Sequence, residues 1–104
     1  MFEHQIASLK AGNAVEFRPR GSSMEPKIHS GERVCVEPLG DRAICVGDVV
    51  LCKVSGHTYL HLVSAISSDG RCQISNNKGR VNGWCSRDSI YGVLTALLDR
   101  QSPK

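Results

Sequence analysis

No stretch of this chain approaches the roughly 20 apolar residues that cross a bilayer, and its start lacks the charged and apolar run of a secretory signal. Those absences exclude a membrane anchor from the sequence-based reading and point to a soluble, cytoplasmic protein. Cys-x-x-Cys pairs are missing too. The five cysteines, Cys35, Cys45, Cys52, Cys72 and Cys85, are odd in number and scattered, which suits neither a fully paired disulfide framework nor a zinc ribbon. Reduced, mostly buried thiols are the simpler expectation, with Cys35, Cys45 and Cys52 in or beside strands and Cys85 in a loop, where it could be a reactive thiol. No metal set and no cofactor motif is found. Charge of one sign is also scarce: 13 basic and 10 acidic side chains leave +3, with the two kinds interspersed, a weak pull toward an anionic partner. Arg18, Arg20, Lys27 and Arg33 have no aromatic residues interleaved with them, and no helix-turn-helix segment is present, so nucleic acid is not the expected partner. Internal repeats and low-complexity tracts are lacking as well.

What is present fits one unit. A chain of 104 residues carries a single domain with a modest core. Phe2, Ile6 and Leu9 recur at helical spacing ahead of Gly12, so residues 2–11 are expected to form a short amphipathic helix within an N-terminal segment, 1–12. From Ala14 the texture becomes short β-branched or apolar runs between glycines and turn residues, with strands expected at 14–18, 33–37, 48–54, 58–66, 71–75 and 89–97. Val54-Ser55-Gly56-His57 and Ser67-Ser68-Asp69-Gly70 read as hairpin turns, Asn76 to Gly83 as an irregular loop, and Gln101 to Lys104 as a frayed tail. The fold expected is mainly β.

Two features carry chemistry. Gly21 to Pro26 reads GSSMEP, a turn able to present a serine hydroxyl, although Gly, Ser and Pro also mark ordinary loops. Further on, TYLHLVSAI carries His61. A period of two puts Tyr59, His61, Val63 and Ala65 on one face of that strand and Leu60, Leu62 and Ile66 on the other. Taken alone, His61 reads first as a structural histidine whose ring nitrogens are satisfied by backbone.

The order of four segments, GSSMEP, SGERVCV, VGDVVLCKV and TYLHLVSAI, resembles that of the superfamily of LexA-type self-cleaving repressors and type I signal peptidases. There a glycine-containing Ser-Met turn is followed by a glycine-acid pair, a Gly-Asp that opens a strand, and a hairpin whose return strand holds the base. The resemblance spans about residues 14–95. It implies coiled β-sheets with a short N-terminal helix, Ser23 as nucleophile and His61 as base. Most members use lysine as base, whereas the signal peptidases of the endoplasmic reticulum resemble this chain in using histidine. Neutral imidazole is available near pH 7, which makes the exchange chemically reasonable. Lys53 is the rival base; His4, His29 and His57 are expected to be solvated.

A Ser-His pair usually needs a third group to hold the imidazole tautomer. The signal-peptidase pattern places an acid where this chain reads Gln73-Ile74-Ser75-Asn76-Asn77, so Ser75 replaces it. Asp88 in SRDSIYG is then the preferred orienter, although it could equally cap a strand entry; Asp69 and Asn77 are lesser candidates. Backbone N–H groups at Ser22, Ser23 and Met24, with the Ser22 hydroxyl, are the expected oxyanion donors. The function expected is a small serine peptidase that cuts a protein or peptide partner or itself, and a homodimer is an assembly this reading allows. LexA-type members cut themselves at a peptide bond ending in glycine, most often Ala-Gly; Ala11-Gly12 is the matching bond here, but it lies too close to Ser23 in sequence for easy access. The other reading is an inactive module of the same fold that binds a phage or host regulator through the N-terminal helix or the loop leading to Trp84.

Overall fold

A computed structural model describes residues 2–99. The tail expected to fray, 101–104, lies outside them. Helix α1, Glu3–Lys10, buries Leu9 and lays the Lys10 ammonium over the Tyr91 ring, 5.5 Å from its centroid. Seven strands follow: β1 Val15–Phe17, β2 Val34–Pro38, β3 Val49–Val54, β4 His57–Ile66, β5 Cys72–Ser75, β6 Val81–Cys85 and β7 Ile90–Leu97. They form one antiparallel sheet in the order β1-β2-β7-β3-β4-β5-β6. The protein is therefore mainly β with one short helix, as its texture leads one to expect. No helix among the described residues is long and apolar enough to cross a membrane.

Strand β3 shows why the core has two halves. Its sequence VVLCKV is almost continuously apolar because both faces are covered. Val49 and Leu51 join Leu9, Met24, Ile28 and Leu60 under the helix. Val50, Cys52 and Val54 join Val63, Cys72 and Cys85 on the other side. The second half closes because the sheet coils: β3 touches β6, although β4 and β5 lie between them in the hydrogen-bonded order. Gly83 permits that approach, since a Cβ there would sit 2.9 Å from Val54 Cγ1. Gly92 does the same for β7 against β2, where a Cβ would fall 2.6 Å from the Glu37 carbonyl oxygen.

The β3–β4 hairpin turns through Ser55 and Gly56, both at positive φ, as the primed turns of two-residue hairpins require. Strand β6 departs from expectation. Residues 76–83 read as a loop, yet only its first part is one: the Asn76 side chain accepts from the N–H groups of Lys78 and Arg80, and the chain then returns as a strand. Val81 and Trp84 on it are exposed and the register slips between Ile74 and Ser75, so no apolar alternation announces the strand. The cysteines are likewise redistributed. Cys85 is buried in β6 rather than held in a loop, and Cys45 is the exposed thiol rather than a core one. All five are free.

Candidate functional site

The GSSMEP segment lies within a loop closed at its base. Gly31 N–H donates to the Pro19 carbonyl at 2.7 Å and Gly21 N–H to Ser30 Oγ at 2.9 Å. Inside the loop, Ile28 N–H donates to the Met24 carbonyl at 2.9 Å. Met24 and Ile28 are buried in the core half beneath α1, so the residue just before Met24 is fixed in place by an apolar anchor. That residue is Ser23. A second tie comes from the β5–β6 loop, where Asn77 N–H donates to the Ser23 carbonyl at 2.9 Å and Asn77 Nδ2 to the Glu25 carbonyl at 3.1 Å.

His61 stands in the middle of β4, opposite Val50, and is buried. Its Nε2 lies 3.0 Å from Ser23 Oγ. On the far side Nδ1 lies 2.7 Å from Asn82 Oδ1. An amide oxygen accepts, so Nδ1 carries the proton and Nε2 is left with the lone pair that receives the Ser23 hydroxyl hydrogen. Tyr59, two residues back on the same face, stacks on the imidazole with centroids 4.8 Å apart and planes at 18°. Burial pushes the imidazole below its ordinary pKa, and the bond to Asn82 opposes that push in part. The ring is thus neutral near pH 7, in the tautomer a general base needs.

The orienter is not the residue the sequence pointed to. Asp88 sits in the 3-10 turn Arg87–Ser89, exposed, at the edge of a hollow with Leu9, Lys10 and Tyr91, whereas His61 Nδ1 is occupied by Asn82. Asp69 is exposed in the β4–β5 turn and bonds Ser67. Ser75, which stands where the related pattern has an acid, shares a hydrogen bond of 2.6 Å with Ser64 Oγ. Asn77 holds the serine turn rather than the histidine. Asn82 reaches His61 only through two registers, Leu62 to Ser75 across β4–β5 and Ser75 to Val81 across β5–β6, so its position is not legible in the sequence. Two strand spacings come to about 10 Å, which an imidazole and an amide side chain span together on a coiled sheet. No local signal in VNGWC marks it.

Lys53 is exposed, paired with Thr58, and borders a different hollow with Glu3 and His57, away from Ser23. His4, His29 and His57 are all exposed. At the turn itself, Ser22 is exposed and its carbonyl accepts from Glu25 N–H at 3.2 Å. The N–H groups of Ser23 and Met24 make no backbone hydrogen bond among the described residues. Among the described residues no group of three or more His, Cys, Asp or Glu is arranged to hold a metal ion. No protein-family model matches the chain, and a comparison with curated proteins finds no match.

Proposed function

We propose that the chain is a serine peptidase-like hydrolase of the LexA and type I signal peptidase kind, working through Ser23 and His61 on a protein or peptide partner. One observation carries the reading: the unbroken hydrogen-bonded line from Ser23 Oγ through His61 to Asn82, at 3.0 and 2.7 Å. The order of the four sequence segments supports it independently.

In the mechanism this line allows, His61 Nε2 takes the hydroxyl proton as Ser23 Oγ adds to the scissile carbonyl. The oxyanion is met by the Ser23 and Met24 N–H groups. The proton on Nε2 passes to the leaving amine and an acyl-serine ester remains; water then repeats the two transfers and releases the acid. Asn82 holds the tautomer throughout but carries no charge, so it stabilises the imidazolium less than a carboxylate does. A slow enzyme is the expectation. Cleavage of a partner is favoured over cleavage at Ala11-Gly12, because the amides of Ala11 and Gly12 are tied to the carbonyls of Ala7 and Leu9 and β1 lies between them and Ser23.

A fluorophosphonate probe tests the reading, since it phosphonylates only an activated serine. Wild type is expected to label at Ser23, as located by peptide mass spectrometry, Ser23→Ala is expected not to, and His61→Gln is expected to label far more slowly. Absence of labelling in correctly folded wild type defeats the proposal.

The exposure of Val81 at 50% and Trp84 at 43% favours a second reading, an inactive module that captures a protein regulator along β6. It predicts that Trp84→Ala abolishes capture of that regulator while Ser23→Ala leaves it intact, the reverse of the peptidase pattern.

A further inference from the structure

Ser23 and His61 open onto a cavity of about 110 Å³. Part of its lining is apolar: Met24, Ile28 and Leu60 are core side chains that reach it, together with Phe2 and Tyr59. A dry cavity of about 150 Å³ accepts benzene, so this smaller one has room for an aliphatic side chain of valine-to-leucine size and none for an indole. The charged or titratable residues lining the cavity besides His61 are Arg20, His29 and Tyr59, with no carboxylate among them. His29 Nδ1 faces Glu25 at 3.6 Å. Arg20 has no hydrogen bond or ion pair to a described residue, whereas Arg18, Arg33 and Arg42 each hold a carboxylate, those of Asp99, Glu16 and Glu37. The arginine beside the serine is thus able to offer its planar fork to an incoming anion.

We infer that this cavity recognises a peptide carrying an aliphatic side chain of valine-to-leucine size together with a carboxylate that meets the Arg20 guanidinium. The inference rests on the peptidase reading for what is done to the peptide, and on the cavity for which peptide binds. The carboxylate comes from an acidic side chain or from the peptide's own C-terminus, and both present the same pair of oxygens.

Binding to the full-length Ser23→Ala protein tests this without turnover. The probes are an acetylated Gly-Glu-Leu-Gly-Gly amide, its versions with alanine or tryptophan for leucine and glutamine for glutamate, and acetylated Gly-Gly-Gln-Leu as free acid and as amide, titrated by calorimetry. Leucine is expected to bind about tenfold tighter than alanine, and tryptophan more weakly than either. A carboxylate in either place is expected to add about threefold at low salt, a gain lost at high salt and lost in Arg20→Glu. The free acid gaining over its amide identifies the C-terminus as the source; glutamate gaining over glutamine identifies the side chain. Equal binding of leucine, alanine and tryptophan peptides, or a carboxylate gain that survives Arg20→Glu, overturns the inference. Fluorophosphonate labelling of wild type separates the two claims: labelling without peptide selectivity defeats the inference alone, and selectivity without labelling defeats the peptidase reading alone.

Discussion

The molecule gathers nucleophilic side chains in two places, and they are built in opposite ways. Ser23 belongs to a polar line in which each hydrogen has an acceptor waiting, His61 and then Asn82. Cys52, Cys72 and Cys85 pack in the coiled half of the sheet, with Cys72 and Cys85 directly opposite on β5 and β6. There burial raises all three thiols above their ordinary pKa, and for Cys52 the neighbouring thiols of Cys85 and Cys72 add to the effect. A thiol is intrinsically the better nucleophile, yet the weaker hydroxyl has the better site. Burial disfavours charge at both; only Ser23 has a neutral base within reach to take its proton. Packing disfavours the thiolate in the cluster, while partnering gives the Ser23 hydroxyl an acceptor for its proton.

The sharpest way to break this contrast is Ser23→Ala, which should remove fluorophosphonate labelling completely while alkylation of the buried cysteines by iodoacetamide stays equally slow. Labelling that persists at another residue would sink the assignment of Ser23. Next in size, His61→Gln should slow labelling by about 10²- to 10⁴-fold, the contribution of a positioned general base. In wild type the labelling rate should fall on acidification with an inflection below 6.5, because burial holds the imidazole under that value and the protonated ring cannot accept a proton. An inflection above 6.5 would mean that a group other than a desolvated histidine controls the rate.

Smaller again, Asn82→Ala should slow labelling by about 10- to 100-fold, the worth of one hydrogen bond to a ring that becomes charged. The same variant should move the inflection further down, since the Asn82 bond is what raises the His61 pKa against burial. A slower rate with an unmoved inflection would make Asn82 a structural residue only. Stability should follow the same group. The folded His61 pKa is lowered, so the unfolded chain binds the extra proton first, and stability is full above about pH 6.5 and lost as pH falls through the folded value. His61→Gln should flatten that part of a pH series of denaturation midpoints. The mildest change is Cys72→Ala, expected to cost about 1–2 kcal/mol of stability in urea melts with labelling of Ser23 unaltered.

Much of the framework could be read in advance because it depends on neighbours in sequence. Ser55-Gly56 turns a hairpin through its own backbone angles, the apolar run VVLCKV reads as a strand, and the alternation in TYLHLVSAI places Tyr59, His61 and Val63 on one side. The pairing of Ser23 with His61 was anticipated from the order of segments, and the two groups do meet. The expected third member failed for a reason of geometry. Asp88 is pointed to by the likeness of SRDSIYG to the signal-peptidase pattern, but position around His61 Nδ1 is decided by how far the sheet coils and by the slipped register at Ile74 and Ser75, which brings in a neutral side chain from a strand that reads as a loop. Cys85 was misplaced by the same error.

The residues by themselves determined the β character, the strand that carries His61 and the turn that carries Ser23, because these follow from periodicity and from the torsional demands of glycine and proline within a few positions. Only the tertiary structure decided that β7 inserts between β2 and β3, that Asn77 in the β5–β6 loop holds the Ser23 turn while Asn82 at the start of β6 holds the His61 ring, and that Arg20 lines the cavity with no ion pair to a described residue. Those relations arise from closing and coiling a sheet over long chain separations, where many pairings satisfy the same local pattern and the packing of the two core halves selects one.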